Sequence, residues 1–270
     1  MKVGIIGYGS MGKMFLEKLS ETQTVFKEDL YIANRTYSKI EHLKNEYNVC
    51  QSSTELAAEA DVIFICAGPG DIKNILEDIK HAVSEKALLV SLNGSVTFEM
   101  LEKVLPHKYA KVIPSLTAEI NRSQTLVSYN GEITKTDKAT LISLMECMGD
   151  VIELPEQEMG IGSELVSCMP GFIAAMFDVI CKSAKPHTAL GERQMIQMLL
   201  QTLVGTGELM LEKDMSFDEV VNRVATKGGI TEVGARIIYE QMPQVADELF
   251  DKTMERRRET AERAKERFGV

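Results

Sequence analysis

The feature that most constrains this chain is its opening. Val3, Gly4, Ile5 and Ile6 make a short apolar run, as expected of a strand buried on both faces. Gly7-Tyr8-Gly9-Ser10-Met11-Gly12 follows as G-x-G-x-x-G, and residues 13–19 continue at helical spacing. In such a strand–turn–helix the glycines have separate tasks. Gly7 permits the tight turn, Gly9 lets the backbone approach a pyrophosphate, and Gly12 lets the helix pack on the strand. Ser10, Met11 and Gly12 start the helix, whose unpaired amides and partial positive charge suit phosphate oxygens. The residues predict a dinucleotide site at the head of an α/β fold.

The second strand tells which dinucleotide. It is expected at residues 30–33 and ends in Asn34-Arg35-Thr36. A site for NAD usually has a carboxylate here for the ribose 2′-hydroxyl. No carboxylate is present. Arg35 offers a fixed charge suited to a 2′-phosphate, and Asn34 and Thr36 add short donors. The tip predicts NADP (NADPH) rather than NAD.

Further strands are expected at residues 49–50, 61–66, 87–92, 111–113, 125–129 and 151–154. Helices are expected between them, at 37–47, 53–59, 96–105 and 135–148, with Ser53 capping one and Asp71 another. This alternation predicts an N-terminal Rossmann-like, doubly wound parallel sheet. Ala67, Gly68 and Pro69 end the fourth strand and Asn93 ends the fifth, at the edge where open α/β sheets bind ligands. After residue 158 only helical periods remain, at 163–183, 192–212, 217–224, 231–242 and 245–267. Leu154-Pro155-Glu156-Gln157 is the expected boundary, giving domains 1–155 and 156–270.

A net charge of −10 argues against a nucleic-acid partner. No uninterrupted apolar run approaches the roughly 18 residues of a membrane span, and glycines interrupt the N-terminus where a signal peptide would be apolar. Five cysteines, without a C-x-x-C pair, and four dispersed histidines predict reduced thiols in a cytoplasmic protein without a metal site. Residues 252–267, dense in Arg and Glu, read as a solvated helix end. The Met-rich stripe Met195-Ile196-Gln197-Met198-Leu199-Leu200 suits either core or a homodimer interface.

One stretch of the helical half differs from its surroundings: Thr226-Lys227-Gly228-Gly229-Ile230-Thr231. Two glycines break the helical pattern, and Thr231 is placed to cap the next helix. Amides at such a turn can cradle a carboxylate. A simple helix–helix corner with a threonine cap fits the same residues.

These residues together resemble the pyrroline-5-carboxylate reductase family. Residues 226–231 resemble its Ser-Pro-Gly-Gly-Thr/Ala-Thr signature, and residues 165–172 its Leu-Ser-Gly-Ser-Gly-Pro-Ala-Tyr helix start. Residues 64–69 match its strand ending in Val-Lys-Pro, and residues 90–94 its Val-Ser-x-x-Ala-Gly. The resemblance implies an NADP-binding domain followed by an all-helical dimerisation domain, with the dimer partner helping to build the site. It implies a nicotinamide near Ala67, Gly68, Pro69 and Asn93. It places a substrate carboxylate at Thr226, Gly228, Gly229 and Ile230, with Thr231 hydrogen-bonding the ring nitrogen of a small cyclic imino acid. Hydride transfer to C=N needs positioning and a hydrogen bond, and no metal, nucleophile or triad.

The sequence also departs from the family. Lys227 replaces the signature Pro, Ala118 stands in a loop that has lost its Asn, and Met169 stands where a small Gly belongs. In these departures the chain is similar to the reductase-like branch of bacterial late competence operons, which implies the alternative of an NADP-binding dimer with a regulatory role. A 3-hydroxyacid dehydrogenase, with the same two-domain plan, uses a Lys on the first helix after the boundary. Residues 163–177 contain none, and Lys182 and Lys185 come too late.

Overall fold

The computed structural model describes residues 1–269. Eight strands form one sheet: β1 (Val3–Ile6), β2 (Leu30–Ala33), β3 (Asn48–Val49), β4 (Val62–Ile65), β5 (Leu88–Ser91), β6 (Tyr109–Ile113), β7 (Ser123–Tyr129) and β8 (Gly149–Glu153). Their order is β3-β2-β1-β4-β5-β6-β7-β8. Every residue of β1, β4, β5 and β6 is buried, as their largely apolar runs require, and the burial takes in Ser91 and Lys111. Neighbouring strands are parallel except β6 and β7. Residues 114–122 are too few for the helical crossover that a parallel pair needs, so β7 turns back. The chain winds from β1 out to β3 and then returns to β4. This leaves a crevice at the carboxyl ends of β1 and β4, where open sheets take their ligands.

Helices cover both faces. On one, Phe15, Leu16 and Leu19 of α1 (Ser10–Glu21) and Leu141, Leu144 and Met145 of α5 (Lys135–Met145) pack with Val3, Ile5, Phe64 and Val90. The other face carries α2 (Ser53–Glu59), α3 (Ile72–Ile79) and α4 (Phe98–Val104) against Ile6, Ile63, Ile65 and Leu89. Three local expectations fail here. Residues 37–47 form two 3₁₀ turns, Tyr37–Lys39 and Glu41–Leu43, rather than a helix. Their buried anchors, Ile40 and Leu43, lie three apart, a spacing that a 3₁₀ turn stacks. Ser52, not Ser53, caps α2 by accepting from Glu55 N at 3.1 Å. Asp71 precedes α3 without capping it.

The chain divides into two compact units, Met1–Pro170 together with the residues from Met254 onward, and Gly171–Thr253. α6 (Met159–Ser163) leads through a wide π-helical turn at Glu164–Cys168 into α7 (Met169–Ala184). Pro170 has no N–H to donate to the turn before it, which accounts for the local widening. α8 (Glu192–Lys213), α9 (Phe217–Val224) and α10 (Ile230–Phe268) follow. α10 is continuous through Pro243, although two separate helices were expected. Proline removes one helical hydrogen bond but need not end a helix, and the far end of α10 is anchored by packing.

That anchoring corrects another expectation. The last turns of α10 are not simply solvated, because Ala264 and Phe268 are buried against the α3–α4 face. Lys73 Nζ donates to the Arg267 carbonyl at 3.1 Å, and Lys103 Nζ to that of Gly269 at 2.6 Å. Two cations thus meet the helix's negative end.

The second unit has little core of its own. Among the described residues of 171–253, only Cys181 and Met195 are buried. Val179, Ile180, Ile196, Met198, Leu200 and Val204 are exposed. The helical stretch Glu156–His187 is also long and apolar enough, by length and composition, to cross a membrane. Its mean hydropathy is 1.6 in a window of which 11% is buried. Charges such as Glu164 and Asp178 interrupt the stretch, so no single apolar run in it has that length.

Candidate functional site

The crevice is knitted by backbone hydrogen bonds. Gly7 N donates to Ala33 O at 2.8 Å and Cys66 N to Ile6 O at 2.8 Å, which draws the three strand ends together. Gly7 has φ of +103° and a Cβ there would lie 2.4 Å from Cys66 O, so only glycine fits. A Cβ on Gly12 would lie 1.9 Å from Gly7 O, so the helix sits directly on the turn. Gly9 meets nothing within 4 Å. Its open face, and the absence of a side-chain cap on α1, leave room for a pyrophosphate at the helix start. Gly9, Ser10 and Met11 are exposed there, while Gly12 is buried.

From this turn a cleft of about 630 Å³ runs toward the tip of β2. It brings together Gly7, Gly9, Asn34, Arg35, Thr36, Ala67 and Gly68. Asn34 is engaged internally. Its Oδ1 accepts from Tyr8 N at 2.9 Å and its Nδ2 donates to Thr36 O at 2.9 Å, so it shapes the tip. Arg35 is largely exposed and pairs with Asp71 at 2.8 Å. Lys39, Ser52 and Ser53 also line the cleft. The sequence had pointed to none of these three as ligand residues, since they follow no motif. Burial behind the turn pushes the Cys66 thiol up to about 12, which keeps it protonated and inert.

Pro69 and Asn93 lie outside that lining, at the carboxyl ends of β4 and β5. Asn93 Oδ1 accepts from Ser95 N at 2.9 Å and Val96 N at 3.2 Å and so holds its own loop. Beside this loop is a feature the sequence did not announce. Arg257 Nη2 and Nε donate to Glu164 Oε1 at 2.7 and 3.3 Å, and a Cβ on Gly94 would lie 3.4 Å from Arg257 Nη1. Glu164 is buried, and its Oε2 has no partner among the described residues. Ala118 is fully buried in a short 3₁₀ turn, Leu116–Ile120, and packs in the core.

The diglycine turn belongs to the second unit. Gly228 has φ of +74°, and Gly229 lies so close to Thr226 that a Cβ would fall 2.4 Å from Thr226 Oγ1. Gly229 N donates to Thr226 O at 2.8 Å. Gly228 N donates to Glu232 Oε2, so a carboxylate of this chain already uses one amide of the turn. Thr231 is not the cap. α10 begins at Ile230, which puts Thr231 in its first turn, because the tight turn ends one residue earlier than expected. Thr226, Lys227, Gly228, Ile230 and Thr231 are exposed. Among the described residues no group of three or more His, Cys, Asp or Glu could hold a metal, and the five cysteines are free.

Comparison with known proteins accounts for both halves. Residues 2–94 match the family described as NADP oxidoreductase, coenzyme F420-dependent, so the cofactor type of this half is NADP. Residues 156–260 match pyrroline-5-carboxylate reductase dimerisation. The chain is 33% identical to pyrroline-5-carboxylate reductase 3 of Bacillus subtilis over 256 residues, 94% of each chain. It is 29% identical to ComE operon protein 4 of the same organism over 273 residues, the full length of both. A crystal structure of Plasmodium falciparum pyrroline carboxylate reductase with NADP bound shares the fold. It aligns with a TM-score of 0.83 at 21% identity, over 99% of this chain and 98% of that one. The N-terminal Rossmann-like sheet followed by a helical dimerisation domain is therefore the fold seen in this group, and the chain belongs to the pyrroline-5-carboxylate reductase family.

Proposed function

We propose that the protein is an NADPH-dependent reductase acting on the C=N bond of pyrroline-5-carboxylate or a similar small cyclic imino acid. The observation that carries this reading is the glycine turn under an open helix start, continuous with a cleft that ends at Arg35. The exposed amides of Ser10 and Met11 and the buried Gly12 receive the pyrophosphate, and Arg35 receives the 2′-phosphate. Ala67, Gly68, Pro69 and Asn93 border the nicotinamide. When bound, NADPH supplies the hydride. Thr226, Gly228, Gly229 and Ile230 hold the substrate carboxylate, and the Thr231 hydroxyl hydrogen-bonds the ring nitrogen. With the reacting atoms held in place, the chain's contribution is positioning.

The exposed apolar helices of the second unit support a homodimer, since a face of that extent is covered in a working protein. This also explains the apolar 156–187 stretch without a membrane, in keeping with a cytoplasmic enzyme of proline-biosynthesis type.

A second reading is favoured by one comparison. The full-length similarity to ComE operon protein 4, together with Lys227, Ala118, Met169 and the Glu232 carboxylate in the turn, supports an NADP-binding dimer with a regulatory or competence-related role and little turnover. A steady-state assay of NADPH oxidation across a panel of cyclic imines separates the two. The reductase reading expects turnover, reduced on the order of tenfold to a hundredfold by Thr231→Ala. Tight NADPH binding without turnover on any imine establishes the second reading.

A further inference from the structure

Asp71 occupies the position before α3 where a carboxylate ordinarily caps the helix, yet it makes no capping bond. Its Oδ1 instead accepts from Arg35 Nη1 at 2.8 Å, joining the loop after β4 to the tip of β2. Both residues line the cofactor cleft, as does Lys39. The loop carrying Asp71 lies beside the end of α10: a Cβ on the preceding Gly70 would fall 1.6 Å from Nη1 of the Arg267 side chain.

We propose that Asp71 is a specificity-determining residue that competes with the cofactor's 2′-phosphate for Arg35. This rests on the reading of the β2 tip as the 2′-phosphate site. The side chains of Arg35 and Asp71 are 83% and 48% exposed, so their ion pair is weak and readily exchanged. A phosphate monoester carries more negative charge than a carboxylate and offers three acceptor oxygens, so it takes the guanidinium from Asp71. A 2′-hydroxyl cannot. NADP therefore gains Arg35 only after displacing a carboxylate that stays close by as a like charge. Asp71 holds the arginine at the cleft and lowers the affinity of the cofactor that the arginine selects.

The test is calorimetric titration of the full chain with NADPH, NADH and adenosine 2′,5′-bisphosphate. The proteins compared are wild type, Asp71→Asn, Arg35→Ala and the double variant. Asp71→Asn is expected to tighten both phosphorylated ligands by up to about fivefold, the range of one exposed ion pair, and to leave NADH within about twofold. With Arg35 already alanine, the same substitution should change little. Weaker NADPH binding in Asp71→Asn, or equal shifts for NADPH and NADH, overturns the competition while wild-type preference for NADPH still stands. If the wild type does not prefer NADPH and Arg35→Ala shifts both dinucleotides alike, the 2′-phosphate site and the role of Asp71 fall together.

Discussion

Replacing Arg257 by methionine tests how the end of α10 is fastened to the cofactor-binding unit. Arg257 supplies two hydrogen bonds to Glu164 Oε1, and Glu164 is only 2% exposed, with its second oxygen unpartnered among the described residues. Arg257→Met therefore leaves a buried carboxylate without a counter-charge, a change that costs about 3–5 kcal/mol. At roughly 2–4 °C per kcal/mol for a chain of this size, the melting temperature should fall by about 6–20 °C. Converting the pair together, Glu164→Leu with Arg257→Met, should recover most of the loss, since apolar replacement of both partners of a buried pair is often near neutral. The assay is thermal unfolding of the three proteins at neutral pH. A single variant that melts within about 2 °C of wild type would show that the pair behaves as a solvated contact and would refute the reasoning.

Two further outcomes are expected. Gly12→Ala would push a methyl group to within 1.9 Å of Gly7 O, a backbone atom that cannot yield without opening the turn. NADPH binding should fall by at least about tenfold, measured by titration, while the sheet signature in circular dichroism persists. Lys111 is 1% exposed, with Nζ 3.0 Å from Glu156 Oε1, and burial holds its ammonium below the usual lysine range despite that partner. The unfolded chain then binds the proton more tightly, so wild-type stability should rise as pH climbs through the depressed folded value toward the free-lysine value. Lys111→Met should remove that rise and be neutral to about 2 kcal/mol stabilising at neutral pH, read from urea midpoints, because Glu156 keeps the Phe98 N–H at 2.8 Å.

The sheet was legible because its signals are local. Each run such as Val62–Ile65 or Leu88–Val90 is apolar from end to end, which requires cover on both faces, and all eight strands follow from such runs or from short alternations. Helix ends were less legible. Ser52 and Ser53 stand side by side, and only the return of the Glu55 carboxylate to Gln51 N at 2.6 Å decides between them. Pro243 looked like a terminus because proline usually is one. Proline removes one helical hydrogen bond, yet α10 runs on from Ile230 to Phe268, and at its far end Ala264 and Phe268 are buried. Ala264 and Phe268, the two residues that pack there, are four apart and stand among many charges, too little apolar area for periodicity to detect.

The cofactor cleft shows where motif reading reaches its limit. Glycines report backbone requirements, so Gly7 and Gly12 could be assigned tasks that a hypothetical Cβ then tests directly. Charged side chains carry no such constraint. Asp71 follows Gly70 and precedes a helix, which in sequence is a cap, and nothing in its neighbourhood says that its partner is Arg35, thirty-six residues earlier. Glu232 is equivalent in the other unit: placed to reach back to the start of its own helix, it takes the Gly228 amide. Both carboxylates occupy donors that the sequence assigned to ligand anions. The candidate anion-binding groups proposed for this protein are legible from sequence, whereas the internal acids that contact them, Asp71 and Glu232, become apparent only when the chain is folded.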